Sequence, residues 1–190
     1  VIRRLGPTFL VGLLSLLLAG CGDDPFAIIW TANPQTASIF SVSREELNLG
    51  TGFSFNERRP LRIEAPGASG RWELAVDFQG GNPVLLPPGA FGIPGEARLL
   101  ALPGETFDGV REAPEDLELY SRDQPLPAVP GQLYVVRTNQ QLSAFGSRCV
   151  FYGKFLVEEV DAVQERLTFR FDTNIACNSR NLRPDRQPGS

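Results

Sequence analysis

Three cysteines, a scatter of carboxylate doublets, two tryptophans and no histidine are the residues of this 190-residue chain that could do chemistry. The missing histidine excludes Ser-His-Asp and Cys-His catalysis, histidine-ligated zinc and the commonest general base near neutral pH. A cysteine-only zinc site would need more ligands than Cys21, Cys149 and Cys177 supply. Two carboxyl groups at the right separation suffice for glycoside hydrolysis, and carboxylates with carbonyls suffice for calcium. The candidates are Glu45-Glu46, Glu115-Asp116 and Glu158-Glu159-Asp161. Neighbouring acids on a strand point to opposite faces, and no EF-hand spacing is present, so these doublets read as solvated surface. Gly50-Thr51-Gly52 lacks the third glycine and the following helix of a phosphate-cradling loop, and reads as a turn. Trp30 and Trp72 could stack on sugar rings, but Trp72 shares an apolar face with Leu74 and Val76 and reads as core. The expectation is no catalytic residue, no cofactor and no metal ligand.

The cysteines divide by position. Arg3 and Arg4 precede an apolar run at residues 9–19. Crossing roughly 30 Å of hydrocarbon takes about twenty apolar residues, so this run has the length of a signal peptide rather than of a spanning helix. It ends in Leu18-Ala19-Gly20-Cys21, a branched apolar residue, two small residues and a cysteine. That sequence resembles the lipobox of bacterial lipoproteins. In that family the cysteine sulfur takes a diacylglycerol, the leader is cut just before it, and the new amino terminus is usually acylated. The resemblance covers residues 1–21 and carries over Cys21 alone, as the lipid attachment site. It implies a signal peptide at 1–20, a membrane partner reached through lipid on Cys21, and a place in the cell envelope. An aspartate directly after the cysteine often retains family members in the inner membrane; Gly22 stands here, so the outer membrane is favoured over the inner. Each buried methylene of such an anchor contributes about 0.8 kcal/mol, which makes two or more chains a durable attachment.

The elements that must position these residues are strands. With 19 glycines and 16 prolines, turns are frequent, and apolar alternation of period two recurs at 37–42, 61–65, 71–78, 97–102, 132–138, 149–160 and 166–173. The expected fold is all-β: an antiparallel sandwich or partly open barrel with long Pro/Gly-rich loops and at most one or two short helices. The helix candidates are residues 114–120 and 43–49. The lipidated tether is placed at 21–35, a single β domain at 36–177 and a polar, fraying tail at 178–190. Residues 26–30 could dock as a first strand. Thirteen phenylalanines alternating within strands read as core packing.

Two hairpins can be written in register. One pairs Ala65 with Trp72, Ile63 with Leu74 and Leu61 with Val76, at the cost of setting Glu64 opposite Glu73. The other turns about Val163, so that Val157 faces Phe169, Phe155 faces Phe171 and Phe151 faces Ile175 on an apolar side. Lys154 then lies opposite Asp172, and Glu158 diagonal to Arg170, on a side that reads as solvated. The same register sets Cys149 opposite Cys177, although it is chosen from the turn and the apolar side alone. Opposed antiparallel residues lie within disulfide reach, and export permits oxidation, so a Cys149–Cys177 disulfide is expected.

The formal net charge is -4, and the two leader arginines leave the remainder at -6. An acidic balance excludes nucleic acid as a main partner, since phosphate backbones are bound by clustered Lys and Arg. The expected function is that of a lipid-anchored, non-catalytic binding or structural module of the envelope, whose partner is an envelope protein or a polysaccharide. The alternatives are a carboxylate-dependent glycoside hydrolase, which needs two inward-facing acids in one cleft, and a carrier of an apolar ligand, which needs a hollow barrel.

Overall fold

Alternating apolar residues put one side chain in two on the same face of a strand, and two such faces bury each other. The computed structural model describes residues 28–46, 48–143 and 146–186, and shows this arrangement. Cys21 and the leader lie outside the described residues. One antiparallel sheet runs β1 (Gln35–Phe40), β12 (Arg166–Thr173), β11 (Tyr152–Asp161), β8 (Leu133–Arg137), β6 (Arg98–Leu102). The second runs β3 (Arg59–Leu61), β2 (Gly52–Ser54), β4 (Leu74–Gln79), β5 (Asn82–Leu86), β7 (Leu126–Pro127). A two-stranded ribbon, β9 (Gln141–Leu142) with β10 (Arg148–Cys149), lies outside both. The sheets meet along one edge, where Ser41 bridges Val76 and the Val42 N–H donates to Val76 O at 3.0 Å.

Between the sheets lies a dry core. Phe53 from β2, Val76 from β4, Tyr134 from β8, Phe155 and Val157 from β11, and Leu167, Phe169 and Phe171 from β12 are all buried in it. Its rings lock edge to face: Phe53 lies 4.7 Å from Phe171 and 5.1 Å from Phe169 between centroids, while Tyr134 stacks on Phe155 at 5.0 Å. Burying each such side chain contributes about 1.5–3 kcal/mol, with somewhat more for well-oriented ring pairs. A carrier would need a hollow between the sheets; these rings occupy that space. The all-β expectation therefore holds, with only two short 3-10 turns, Pro88–Phe91 and Leu117–Leu119, among the described residues. None of the described helices is long and apolar enough to cross a membrane.

The β11–β12 hairpin follows the register read from the sequence from Gly153–Thr173 to Val157–Phe169, then shifts by one at a bulge at Glu158. Beyond the strand ends, Cys149 and Cys177 form a disulfide with Cα atoms 5.0 Å apart. Asn178 secures the same end, with its N–H on Val150 O and its Oδ1 accepting from Val150 N, both at 2.9 Å. The apolar side stops short of Ile175, which is exposed.

Several expectations are corrected. Residues 61–65 do not pair with 71–78: Leu61 lies opposite Gly52, and β4 turns at Gly80-Gly81 to pair with β5. Both turn glycines have positive φ, +59° and +83°, which a two-residue hairpin turn demands and which glycine adopts without penalty. Gly52 opens a strand instead of a turn, because a Cβ there would meet Leu74 O at 3.3 Å and Ile63 Cγ2 at 2.4 Å. Residues 43–46 and 48–49 are turn and bend rather than helix, and the 114–120 helix shrinks to one 3-10 turn capped by Asp116. Trp30 docks and is buried, but through an isolated parallel bridge from Thr31 to Arg186 rather than in a sheet. The chain does not fray between 178 and 186: Leu182 is fully buried and its N–H donates to Arg111 O at 2.8 Å.

Candidate functional site

The outward residues of the β11–β12 hairpin are Tyr152, Lys154 and Leu156 on one strand and Thr168, Arg170 and Asp172 on the other; this side is covered at its Tyr152–Lys154 and Asp172 end and open to solvent at Glu158. Lys154 is 2% exposed and Asp172 1%, which corrects the reading of their side as solvent-facing. The cover is built from three stretches. Residues 103–113 form a loop whose Phe107, Val110 and Ala113 pack with Tyr152, Leu133, Val135 and Leu182 in a second apolar cluster. A tight turn shapes it: Thr106 Oγ1 accepts from Gly109 N at 3.0 Å, and a Cβ on Gly109 would meet that hydroxyl at 2.5 Å. The turn presses Phe107 inward and leaves Asp108 90% exposed. The tail is laced to this loop by Ala113 N on Arg180 O at 2.8 Å and by Arg180 ion pairs to Glu112 and Glu115 at 2.9 and 3.2 Å. The strap at 30–34 is laced to the tail in turn, through Trp30 N on Asp185 Oδ2 and Ala32 N on Arg186 O, both 2.8 Å.

Where the three stretches meet, they leave a cleft of about 320 Å³, floored by Lys154 and Asp172 and walled by Ala32, Pro34, residues 107–109, Arg111, Arg183 and Pro184. A second depression of about 500 Å³ lies on the other side of the strap, between Ile29–Asn33, Arg58, Asp172 and Ile175. Asp172 and Ala32 line both.

Burying charge is costly unless it is paired and hydrogen-bonded, and the two floor residues meet that demand differently. Asp172 has three donors: Arg58 Nη1 at 3.1 Å and Thr173 N at 2.9 Å on Oδ1, and Asn33 N at 3.0 Å on Oδ2. Arg58 takes a left-handed backbone, φ +54°, to reach it, and also donates to Asn33 O and lies over the Phe171 ring. Lys154 has less. Its ammonium donates to Phe107 O at 2.6 Å and sits 4.7 Å from the Phe107 ring centroid; Arg170 lies 4.0 Å from the same ring. An ammonium has three donors, and this accounts for one. Burial holds the Lys154 pKa below the ordinary lysine value, against the opposing pull of Asp108 and Asp172.

Of the acids named from sequence, Glu45 and Glu46 line a surface depression with Glu165, and Glu159 and Asp161 share Arg166, but none of them is buried. Glu45 and Glu46 are exposed, with Glu46 on Arg44; Glu115 and Asp116 flank the 3-10 turn; Glu158 and Glu159 are exposed on β11. In the cleft over the hairpin, the two carboxylates are Asp108 and Asp172. Neither has the setting of a general acid, since Asp172 has acceptors committed on both oxygens and Asp108 is open to water beside Arg170, 3.7 Å away. Among the described residues no group of three His, Cys, Asp or Glu side chains is placed to hold a metal. Trp72 is fully buried, as its apolar face implies. Sequence reasoning missed Lys154 as a site residue. The available signal was that it is the only lysine, set between phenylalanine and glycine in the longest strand. Comparison with known protein families and with curated proteins finds no match to the chain.

Proposed function

We propose that this protein is a lipid-anchored, non-catalytic binding module of the cell envelope, held by lipid on Cys21 after loss of residues 1–20, in the outer membrane in preference to the inner. Its partner in this reading is an envelope protein or a polysaccharide. The observation that carries the proposal is the Cys149–Cys177 disulfide. Such bonds persist in oxidising compartments, and this one supports the export that the leader and the Leu18–Cys21 motif imply. With Cys149 and Cys177 joined, Cys21 is the one cysteine left for another use. A filled core and a cleft whose acids are already engaged support binding over hydrolysis or carriage of an apolar ligand.

The test is the intact mass of protein purified from membranes, before and after reduction and thiol alkylation. The expected species lacks residues 1–20, carries acyl mass on Cys21, and gains two alkylated thiols only after reduction. A chain without acyl mass overturns the anchor. Thiols that alkylate without reduction overturn the oxidised hairpin and the exported location with it.

A further inference from the structure

The cleft over the β11–β12 hairpin has an excess of cationic donors. Its lining holds Lys154, Arg111 and Arg183 against Asp108 and Asp172. Each acid already has an arginine from outside that lining, Arg170 for Asp108 at 3.7 Å and Arg58 for Asp172 at 3.1 Å. Arg111 and Arg183 make no ion pair with any described residue, and both are exposed. The three cations lie on three separate pieces of chain, and the hydrogen bonds that lace loop, tail and strap together hold the backbone at Arg111 and Arg183 in place. A buried lysine on the floor with two exposed arginines in the lining supplies the donor types that a tetrahedral oxyanion uses, arginine for its fork and lysine as a point charge.

The surroundings say where that anion would come from. The strap follows Cys21 closely in sequence, and a chain of seven residues, the separation of Cys21 from Ile28, spans at most about 25 Å. Ile28, Ile29 and Ile175 are exposed at 56%, 47% and 57%, and the last two line the neighbouring depression. Cationic donors beside exposed isoleucines, on a leash of that length, suit an interface between headgroups and acyl chains. We propose that this cleft binds a phosphate group, presented by the headgroups of the membrane that holds the anchor, with Lys154 as its buried contact and Arg111 and Arg183 as its rim. The headgroup source rests on the lipid anchor proposed above; the phosphate site does not.

Lys154 is the only lysine, so the protein grown with 13C-labelled lysine reports this site through a single Cε signal. The full protein, purified in dodecyl maltoside, is titrated with inorganic phosphate against sodium chloride of equal ionic strength. It is then placed in nanodiscs of phosphatidylglycerol or of phosphate-free digalactosyldiacylglycerol. The expected result is a saturable shift with phosphate, reproduced in phosphatidylglycerol and missing in the galactolipid. Arg111→Gln and Arg183→Gln should each weaken phosphate binding about tenfold, as loss of a charge-assisted hydrogen bond does. A response to phosphate with none to phosphatidylglycerol keeps the site and assigns it a soluble or glycan-borne phosphate. A signal that follows chloride as it follows phosphate, or that is indifferent to both arginine substitutions while the fold is intact by circular dichroism, overturns the site. The phosphate titration needs no lipid on Cys21, so a failed anchor and a failed cleft give different results.

Discussion

At Lys154 and Asp172 the outward side of the β11–β12 hairpin is buried as deeply as the inward side, by different physics. Inward, Phe155, Val157, Phe169 and Phe171 meet other rings, and no group there needs a partner. Outward, Lys154 and Asp172 are as hidden as any phenylalanine, yet each is a charge that must be compensated. The inner side gains from every ångström of contact. The outer side gains only where its charges are satisfied, and it tolerates a cleft where the inner side would lose density. One hairpin can therefore serve as the stable centre of the fold and as the floor of a site.

Truncating one residue on each side should expose the difference most strongly. Phe155→Ala removes a fully buried ring that contacts Tyr134, Phe55 and Phe169, and should cost about 3–5 kcal/mol, read as a lower urea-unfolding midpoint at unchanged slope. On the outer side, Arg58→Met leaves Asp172 with two backbone donors and, as counter-charge, only Lys154, which makes no ion pair with it, and should cost about 3 kcal/mol. Adding Asp172→Asn to Arg58→Met should recover much of that loss, whereas no second truncation rescues Phe155→Ala. If Arg58→Met unfolds at the wild-type midpoint, the outer side is not held by compensation and the distinction fails.

Glu73 sharpens the rule at a third place, where a buried acid has no counter-ion. It is fully buried, accepts from Phe55 N at 2.9 Å, and burial pushes its pKa up to about 8, with Glu57 adding to the rise. The unfolded chain releases this proton near pH 4.5, so between there and pH 8 the folded state holds a proton the unfolded state has lost. Stability from this group is complete below the lower value and falls as pH rises through the window, by at most about 1.4 kcal/mol per pH unit. Urea titrations at pH 5, 6 and 7 on the protein and on Glu73→Gln should show the slope in the first and its loss in the second. A slope of the same size in Glu73→Gln assigns it elsewhere.

How much of this could be read from the chain follows the same division. The inner side was legible, because alternating Phe155, Val157, Phe169 and Phe171 define a register that also brings Cys149 to Cys177. Burial there depends on period two, which is local. The outer side was not legible, since Lys154 is covered by Phe107, forty-seven residues away, which itself packs in a cluster with Leu182, a lone leucine in a polar stretch. Its docking depends on backbone bonds to Arg111 and Arg180, which no local pattern encodes. The failed pairing of 61–65 with 71–78 carried its own warning in Glu64 opposite Glu73. The Gly80-Gly81 pair between two alternating runs was the better turn signal.

The smallest expected effect is the most telling, because it separates a charge the fold needs from one it merely accommodates. Lys154→Met keeps the length of the side chain, removes the cost of burying an ammonium, and strands Phe107 O without its donor. The stranded carbonyl costs about 1–3 kcal/mol, and replacing a buried ion by an apolar isostere returns about as much. Net stability should lie within about 1 kcal/mol of wild type, by urea unfolding at pH 7. A loss as large as that of Arg58→Met would make Lys154 a structural partner of Asp172 and equate the two charges. A near-zero change leaves a buried cation that the fold does not require, on the floor of a cleft, beside two arginines with no acid of their own. In that outcome stability selects for neither Lys154 nor that placement, and the proposed phosphate contact accounts for the residue.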